Sequence, residues 1–345
     1  MNIQDLESKI NQITHDYINQ RDNLALTVGV IQQGHSFIKG FGQVSDANPS
    51  PPNAQTIYEI GSVTKVFTGI ALAKSVHDGV VTLDDSICLY LPGDVVNQLP
   101  NAVQSITLRQ LATHSSGLPR LPQSFLTNIK DTTNPYIHYT KQDLYAALAE
   151  TDLLNEPGKY EYSNFGMGLL GHLLSLKTAQ SYKNLIETIV CQPLGMSDTD
   201  IHLTPEQQQR LSPGHSPDGA LTSNWDFDVL APAGAFRSTA KDLLTFLEAN
   251  MRESDPWTMA TASSQERHFE TDTFSLGLAW HISTLPNGQV VHWHNGGTGG
   301  YKSFIGFDKT DQTGVVILSN YGDAFANDNS VDEMAISILM EVSAQ

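Results

Sequence analysis

A serine and a lysine stand three residues apart in Ile60-Gly61-Ser62-Val63-Thr64-Lys65-Val66-Phe67-Thr68-Gly69, at what reads as the start of a helix. Positions i and i+3 share one helix face, with about 5–6 Å between Cβ atoms, so the Lys65 amine can meet the Ser62 hydroxyl. A hydroxyl is a weak nucleophile until a base takes its proton. A lysine serves as that base only where burial or nearby positive charge lowers its reference pKa of about 10.4. The first N–H groups of a helix have no internal partner and carry the positive end of its dipole, which suits an oxyanion forming at Ser62. Alone, S-x-x-K is a weak motif, and serine is a common helix cap.

Two further stretches carry groups of the right kind. Glu156-Pro157-Gly158-Lys159-Tyr160-Glu161-Tyr162-Ser163-Asn164 is a turn before a helical pattern. Residues i and i+2 of an extended segment point to one side, so Tyr162 can relay a proton where Asn164 binds a substrate carbonyl. In Val290-Val291-His292-Trp293-His294-Asn295-Gly296-Gly297-Thr298-Gly299-Gly300-Tyr301 a strand runs into a glycine-rich turn. Glycines let a ligand approach the main chain, and an exposed strand edge pairs with an extended acyl or peptide substrate. His292 and His294 share a strand face, but no third ligand at recognisable spacing accompanies them, so neither a metal nor an organic cofactor is expected. Singly, each stretch has a plainer reading, a half-buried tyrosine in one case and a tight hairpin in the other.

The elements that must position these groups follow from periodicity. Ile3, Leu6, Ile10, Ile13 and Ile18 mark an amphipathic N-terminal helix, and 24–31 and 36–42 a β-hairpin. The helix from Ser62 is expected to end near Gly79. From about Leu83 to Met196 the pattern is helical and loop-rich, with candidate helices at 108–114, 142–150, 166–176 and 182–190. Pro119 to Pro135 is a turn-rich segment that either rims a cleft or covers the core. A helix start is read at Ser238-Thr239-Ala240-Lys241-Asp242, then strands at 276–282, 289–294, 302–307 and 314–320 as an antiparallel meander, and a last helix over 330–342. The expected fold is therefore mixed α/β. An antiparallel sheet, flanked by N- and C-terminal helices, is formed by 1–82 and 197–345; a mainly helical lobe is inserted over 83–196; the site lies in the cleft between them.

Composition narrows the function. With 37 Asp and Glu against 19 Lys and Arg, the net charge of −18 opposes binding to a phosphate backbone, so no nucleic-acid partner is expected. Cys88 and Cys191 are far apart and read as plain core thiols. No stretch approaches the roughly 18 unbroken apolar residues of a membrane span. The N-terminus shows no basic region followed by an apolar run, which reads as cytoplasmic, or as periplasmic or secreted if the chain has been trimmed.

In this order, Ser62-x-x-Lys65, Tyr162-Ser163-Asn164 and His294-Asn295-Gly296 resemble the serine β-lactamase and DD-peptidase superfamily, in its class C-like branch. The resemblance covers nearly the whole chain and includes Ile106-Thr107-Leu108-Arg109-Gln110-Leu111-Ala112-Thr113-His114-Ser115-Ser116-Gly117-Leu118-Pro119, the Pro157-Gly158 turn, Ala233 to Asp242 and Val315 to Asn320. It implies a β-lactamase/transpeptidase-like fold with Ser62 as acylated nucleophile, Lys65 as its proton-transfer partner and Tyr162 as second proton shuttle. It also implies an oxyanion hole from the N–H groups of Ser62 and Gly297, with Asn164, His294, Asn295, Gly296 and Thr298 binding substrate. His294 stands where class C β-lactamases carry lysine. Lysine there is a permanent charge for a substrate carboxylate; histidine, with a reference pKa of about 6.5, is not. The expectation is an acyl-enzyme serine hydrolase on small-molecule esters, peptides or β-lactams, esterase-like first. A DD-carboxypeptidase, D-aminopeptidase or weak β-lactamase is the alternative, and a penicillin-binding or scaffold protein with little turnover the contrasting class. If the protonated form of His294 binds a substrate carboxylate, affinity for anionic substrates is expected to fall as pH rises through its pKa, with neutral esters less affected. Sequence leaves the oligomeric state open.

Overall fold

Gln33 and Gly34, with φ of 50° and 80°, close a two-residue turn between β1 (Ala25–Gln32) and β2 (His35–Gly42). Positive φ at both central residues matches the right-handed twist of the flanking strands, which is why this turn type joins hairpins. In the computed structural model, which describes residues 3–322 and 330–343, this hairpin forms one edge of an eight-stranded sheet. The other strands are β3 (Ile57–Glu59), β4 (Arg237–Thr239), β5 (Phe269–Glu270), β6 (Ser275–Leu276), β7 (His281–Thr284), β8 (Val290–Gly297), β9 (Lys302–Asp308) and β10 (Thr313–Ser319). The large sheet has the order β2-β1-β10-β9-β8-β7-β6-β5, while β3 and β4 pair separately. All its pairings are antiparallel, with Val28 opposite Ile317 and His294 opposite Ile305. The N-terminal hairpin thus docks beside the C-terminal meander, closing one sheet from the two ends of the chain.

Alternation decides what covers each face. Leu26, Val28 and Val30 of β1 face the helices Ile3–Asn19 and Ser330–Ser343, packing with Leu6, Ile10, Ala335 and Ile338. The opposite face carries the helices Thr64–His77 and Ala240–Met251. Thr64–His77 is buried over nearly its whole circumference, as expected of a helix that is apolar all round. Its Val66, Phe67 and Ile70 belong to one continuous core that also holds Leu111, Leu118, Phe165 and Leu170 from the helical region and Ile305 and Val316 from the sheet.

Several boundaries differ from the sequence reading. The strand expected over 276–282 is broken between β6 and β7. Ala279 there has φ of 69° and donates its N–H to Ala112 O, while a Cβ on Gly69 would lie 2.0 Å from Leu278 O. The kink lets the strand main chain press against the central helix. The helix expected over 182–190 is α-helical only for Tyr182–Ile186 and widens to a π turn over Glu187–Cys191. The segment 119–135 contains a short helix, Gln123–Thr127, and Pro256–Thr261 forms one where none was expected. No helix among the described residues is long and apolar enough to cross a membrane.

Candidate active site

Ser62 sits in a 3-10 turn, Gly61–Val63, that runs directly into the helix Thr64–His77. One turn on, Lys65 has no solvent exposure. Its Nζ lies 2.8 Å from Ser62 Oγ and donates to Ala233 O at 2.6 Å. Burial, reinforced by the positive charge of Arg120, holds this amine well below its ordinary pKa. Ala233 is held in register by the helix: Thr64 Oγ1 accepts the Phe236 N–H and Thr68 Oγ1 donates to Pro232 O. Threonines are therefore spaced so that the helix bearing the serine also fixes the carbonyl that orients the lysine.

Tyr162 reaches the same point from the helical side, its hydroxyl close enough to the Ser62 side chain to be lowered in pKa by it. Lys65 Nζ and the Arg120 guanidinium lie 4.9 and 5.0 Å from its ring centroid. Burial pushes the phenol up to about 12, against Ser62 and Arg120, which both pull it down. The phenol is therefore protonated at neutral pH. Ser163 then caps the helix Asn164–Thr178, its Oγ accepting the Gly166 N–H and donating to Pro119 O. Asn164 is nearly buried and its Nδ2 donates to Tyr136 Oη at 3.3 Å.

The end of β8 lies against the nucleophile turn because glycines permit it. A Cβ on Gly296 would sit 2.1 Å from Ile60 O, and one on Gly61, where φ is +48°, 2.7 Å from Gly297 N. Ser303 Oγ adds a hydrogen bond to Ile60 O. The main chains of Gly61-Ser62 and Gly297 are thereby adjacent.

His294, fully buried, has its Nδ1 2.6 Å from Asn295 O. A carbonyl can only accept, so Nδ1 carries the proton and Nε2 is a bare acceptor. Burial, with His281 and Lys65 nearby, holds the ring well below the ordinary histidine pKa, so it is neutral. A neutral ring offers a carboxylate no charge.

One expected substrate contact is placed elsewhere. By strand alternation Asn295 points to the opposite face of the sheet, where its Nδ2 donates to Asp332 at 2.6 Å. Its side chain is not among the groups facing Ser62. Thr298 is 1% exposed, and its hydroxyl has no hydrogen-bond partner among the described residues. His292 is occupied by Gln265 O and by stacking on Phe307.

Arg120, His114 and His281 were not singled out as site residues by sequence. Arg120 directly follows Leu118-Pro119, and the only available signal was its adjacency to that stretch. His281 starts β7 and meets His294 edge-on, with ring centroids 5.2 Å apart.

A nucleophile turn, a depressed amine and a protonated phenol meeting between a sheet and a helical layer define a serine hydrolase that works by acyl transfer. The β-lactamase family model matches residues 10–335, and the chain belongs to that family. It is a serine hydrolase of β-lactamase and DD-peptidase type. A beta-lactamase of Pseudomonas fluorescens is 25% identical, with 92% of this chain and 94% of that protein aligned. Among solved structures, a class C beta-lactamase from Rhodobacter sphaeroides superposes with a TM-score of 0.84 at 23% identity, covering 98% of this chain and 99% of that one. A D-alanine carboxypeptidase from Burkholderia cenocepacia does so with a TM-score of 0.83 at 22% identity, covering 99% of this chain and all of the other.

Proposed function

We propose that the protein hydrolyses uncharged esters, and amides of similar shape, through an acyl-enzyme on Ser62. The observation that carries this reading is the buried Lys65 amine, depressed in pKa and 2.8 Å from Ser62 Oγ. The neutral amine takes the Ser62 proton as Oγ bonds to the substrate carbonyl carbon. The oxyanion is received by the N–H groups of Ser62 and Gly297. Tyr162, protonated at rest, gives its proton to the leaving group, and the resulting phenolate lies beside the Lys65 and Arg120 cations. In the second half, the phenolate takes a proton from the water that attacks the acyl carbon, and Lys65 returns its proton to Ser62 Oγ as the acid is released.

The preference for uncharged substrates rests on His294. A neutral imidazole whose free nitrogen is an acceptor repels a carboxylate lone pair, whereas lysine at the same place attracts it. This favours the esterase reading over a β-lactamase or DD-carboxypeptidase reading, both of which act on carboxylate-bearing substrates. Intact-mass measurement after exposure to a fluorophosphonate, with rates on a p-nitrophenyl ester, a D-alanyl peptide and a chromogenic cephalosporin, tests it. The expected result is an adduct on Ser62 and fastest turnover of the ester; ester hydrolysis retained by Ser62→Ala sinks the nucleophile assignment.

A further inference from the structure

Resting on that reading, we propose that His114 is a positioning residue for the reaction: it grips the main chain on both sides of Tyr162 and backs the phenol ring, so that the hydroxyl is held at Ser62. Three contacts from one buried residue do this. The His114 carbonyl accepts the Glu161 N–H at 2.7 Å, just before Tyr162. Its Nδ1 accepts the Ser163 N–H at 3.1 Å, just after. Its ring lies against the Tyr162 ring with centroids 4.5 Å apart and planes 32° from parallel.

The cost of the arrangement marks it as built. His114 has φ of 54°, a left-handed conformation that few side chains adopt, and it is fully buried. The strain aims one residue's carbonyl and ring at the same dipeptide. An N–H can only donate, so Nδ1 is a bare acceptor and the ring is neutral, in keeping with a burial that disfavours its charged form. The neighbouring residues continue the clamp: Ser115 O accepts the Gly158 N–H, Pro119 O accepts Ser163 Oγ, and Arg120 O accepts the N–H groups of Asn164 and Phe165. The stretch from His114 to Arg120 thus lies alongside the tyrosine turn and fixes it. Among the described residues His114 makes no hydrogen bond to Ser62 or Lys65.

His114→Gly removes the acceptor and the ring while relieving the backbone strain, and His114→Asn keeps an acceptor, Oδ1, where Nδ1 was, on a residue that tolerates positive φ. Steady-state hydrolysis of p-nitrophenyl acetate by the full chain is the readout, with circular dichroism melts of each variant. The glycine variant should lose at least about tenfold in kcat with KM within twofold, and asparagine should recover at least threefold of that loss. Should the glycine variant not accumulate folded, His114→Gln replaces it, because its amide oxygen lies one bond too far out; asparagine should then exceed glutamine in kcat by at least threefold. A glycine or glutamine variant at the unmodified rate, a loss confined to KM, or an asparagine variant no better than either overturns the proposal. If the unmodified protein forms no fluorophosphonate adduct on Ser62, the acyl-enzyme reading fails and this one with it; an intact adduct with unaffected variants removes the His114 proposal alone.

Discussion

At the scale of single residues, the chemistry turns on which groups are neutral. Lys65 must be deprotonated to take the Ser62 proton, and its pKa is depressed. The rate therefore rises with pH through that lowered value, and the acid limb of the kcat/KM profile should lie well below the usual lysine range. Lys65→Arg keeps a charge but cannot lose a proton at any ordinary pH, so it should lose the limb and about 10²–10⁴ in kcat; a pH–rate series on both proteins checks this. His294 is shifted in the same direction. Because its folded pKa is also lowered, it is already neutral above the ordinary histidine value. The ratio of kcat/KM for a neutral ester to that for its carboxylate-bearing analogue should stay flat from pH 6.5 to 9. A ratio that climbs severalfold over that range would return the carboxylate-binding role to a protonated His294.

At the scale of elements, the site depends on β8 lying against the turn before the central helix. Gly296 permits this, because any Cβ there would collide with Ile60 O, a main-chain atom that cannot swing aside. Gly296→Ala should push strand and turn apart, costing about 1–3 kcal/mol in urea unfolding, and should lower kcat more than KM because Gly297 N–H moves away from Ser62. The glycine-rich end of β8 was legible as a place where a ligand comes close. Its partner was not, since nothing in local sequence says that residue 296 meets residue 60. The broken strand at 277–280 has a similar cause. Its residues alternate acceptably for a strand, but contact with Gly69 of the central helix imposes the kink.

At the scale of the whole molecule, a buried Glu59–Arg237 pair, extended to the half-exposed Asp226, ties the nucleophile turn to the rest of the chain. Glu59, three residues before Ser62, pairs across β3 and β4 with Arg237, whose Nη2 lies 3.3 Å from it and 3.0 Å from Asp226. Glu59 also accepts the Trp225 N–H at 2.9 Å. Burial outweighs the attraction of Arg237 and raises the Glu59 pKa. Removing Arg237 leaves that carboxyl uncompensated, so Arg237→Ala should cost about 3–5 kcal/mol at neutral pH, measured by chemical denaturation. The sign with pH follows: the unfolded chain ionises freely above the ordinary carboxylate value while the folded one resists, so the penalty should grow as pH rises from 4 to 7.

Much of this protein was determined by local sequence. The 3.6-residue and 2-residue periods set the terminal helices, the hairpin and the meander, and the i, i+3 spacing alone placed Lys65 beside Ser62, because these relations span a few residues of backbone geometry. The order of the three motifs carried the family. Tertiary structure decided what each polar group has left to offer. Asn295 follows the motif closely enough to suggest a substrate contact, yet its side chain is turned to Asp332. His294 is neutral because of the walls around it, and His114 touches Tyr162 across 48 residues of chain. Burial, partner choice and protonation depend on atoms distant in sequence, and only the folded packing of sheet against helical layer brings those atoms together.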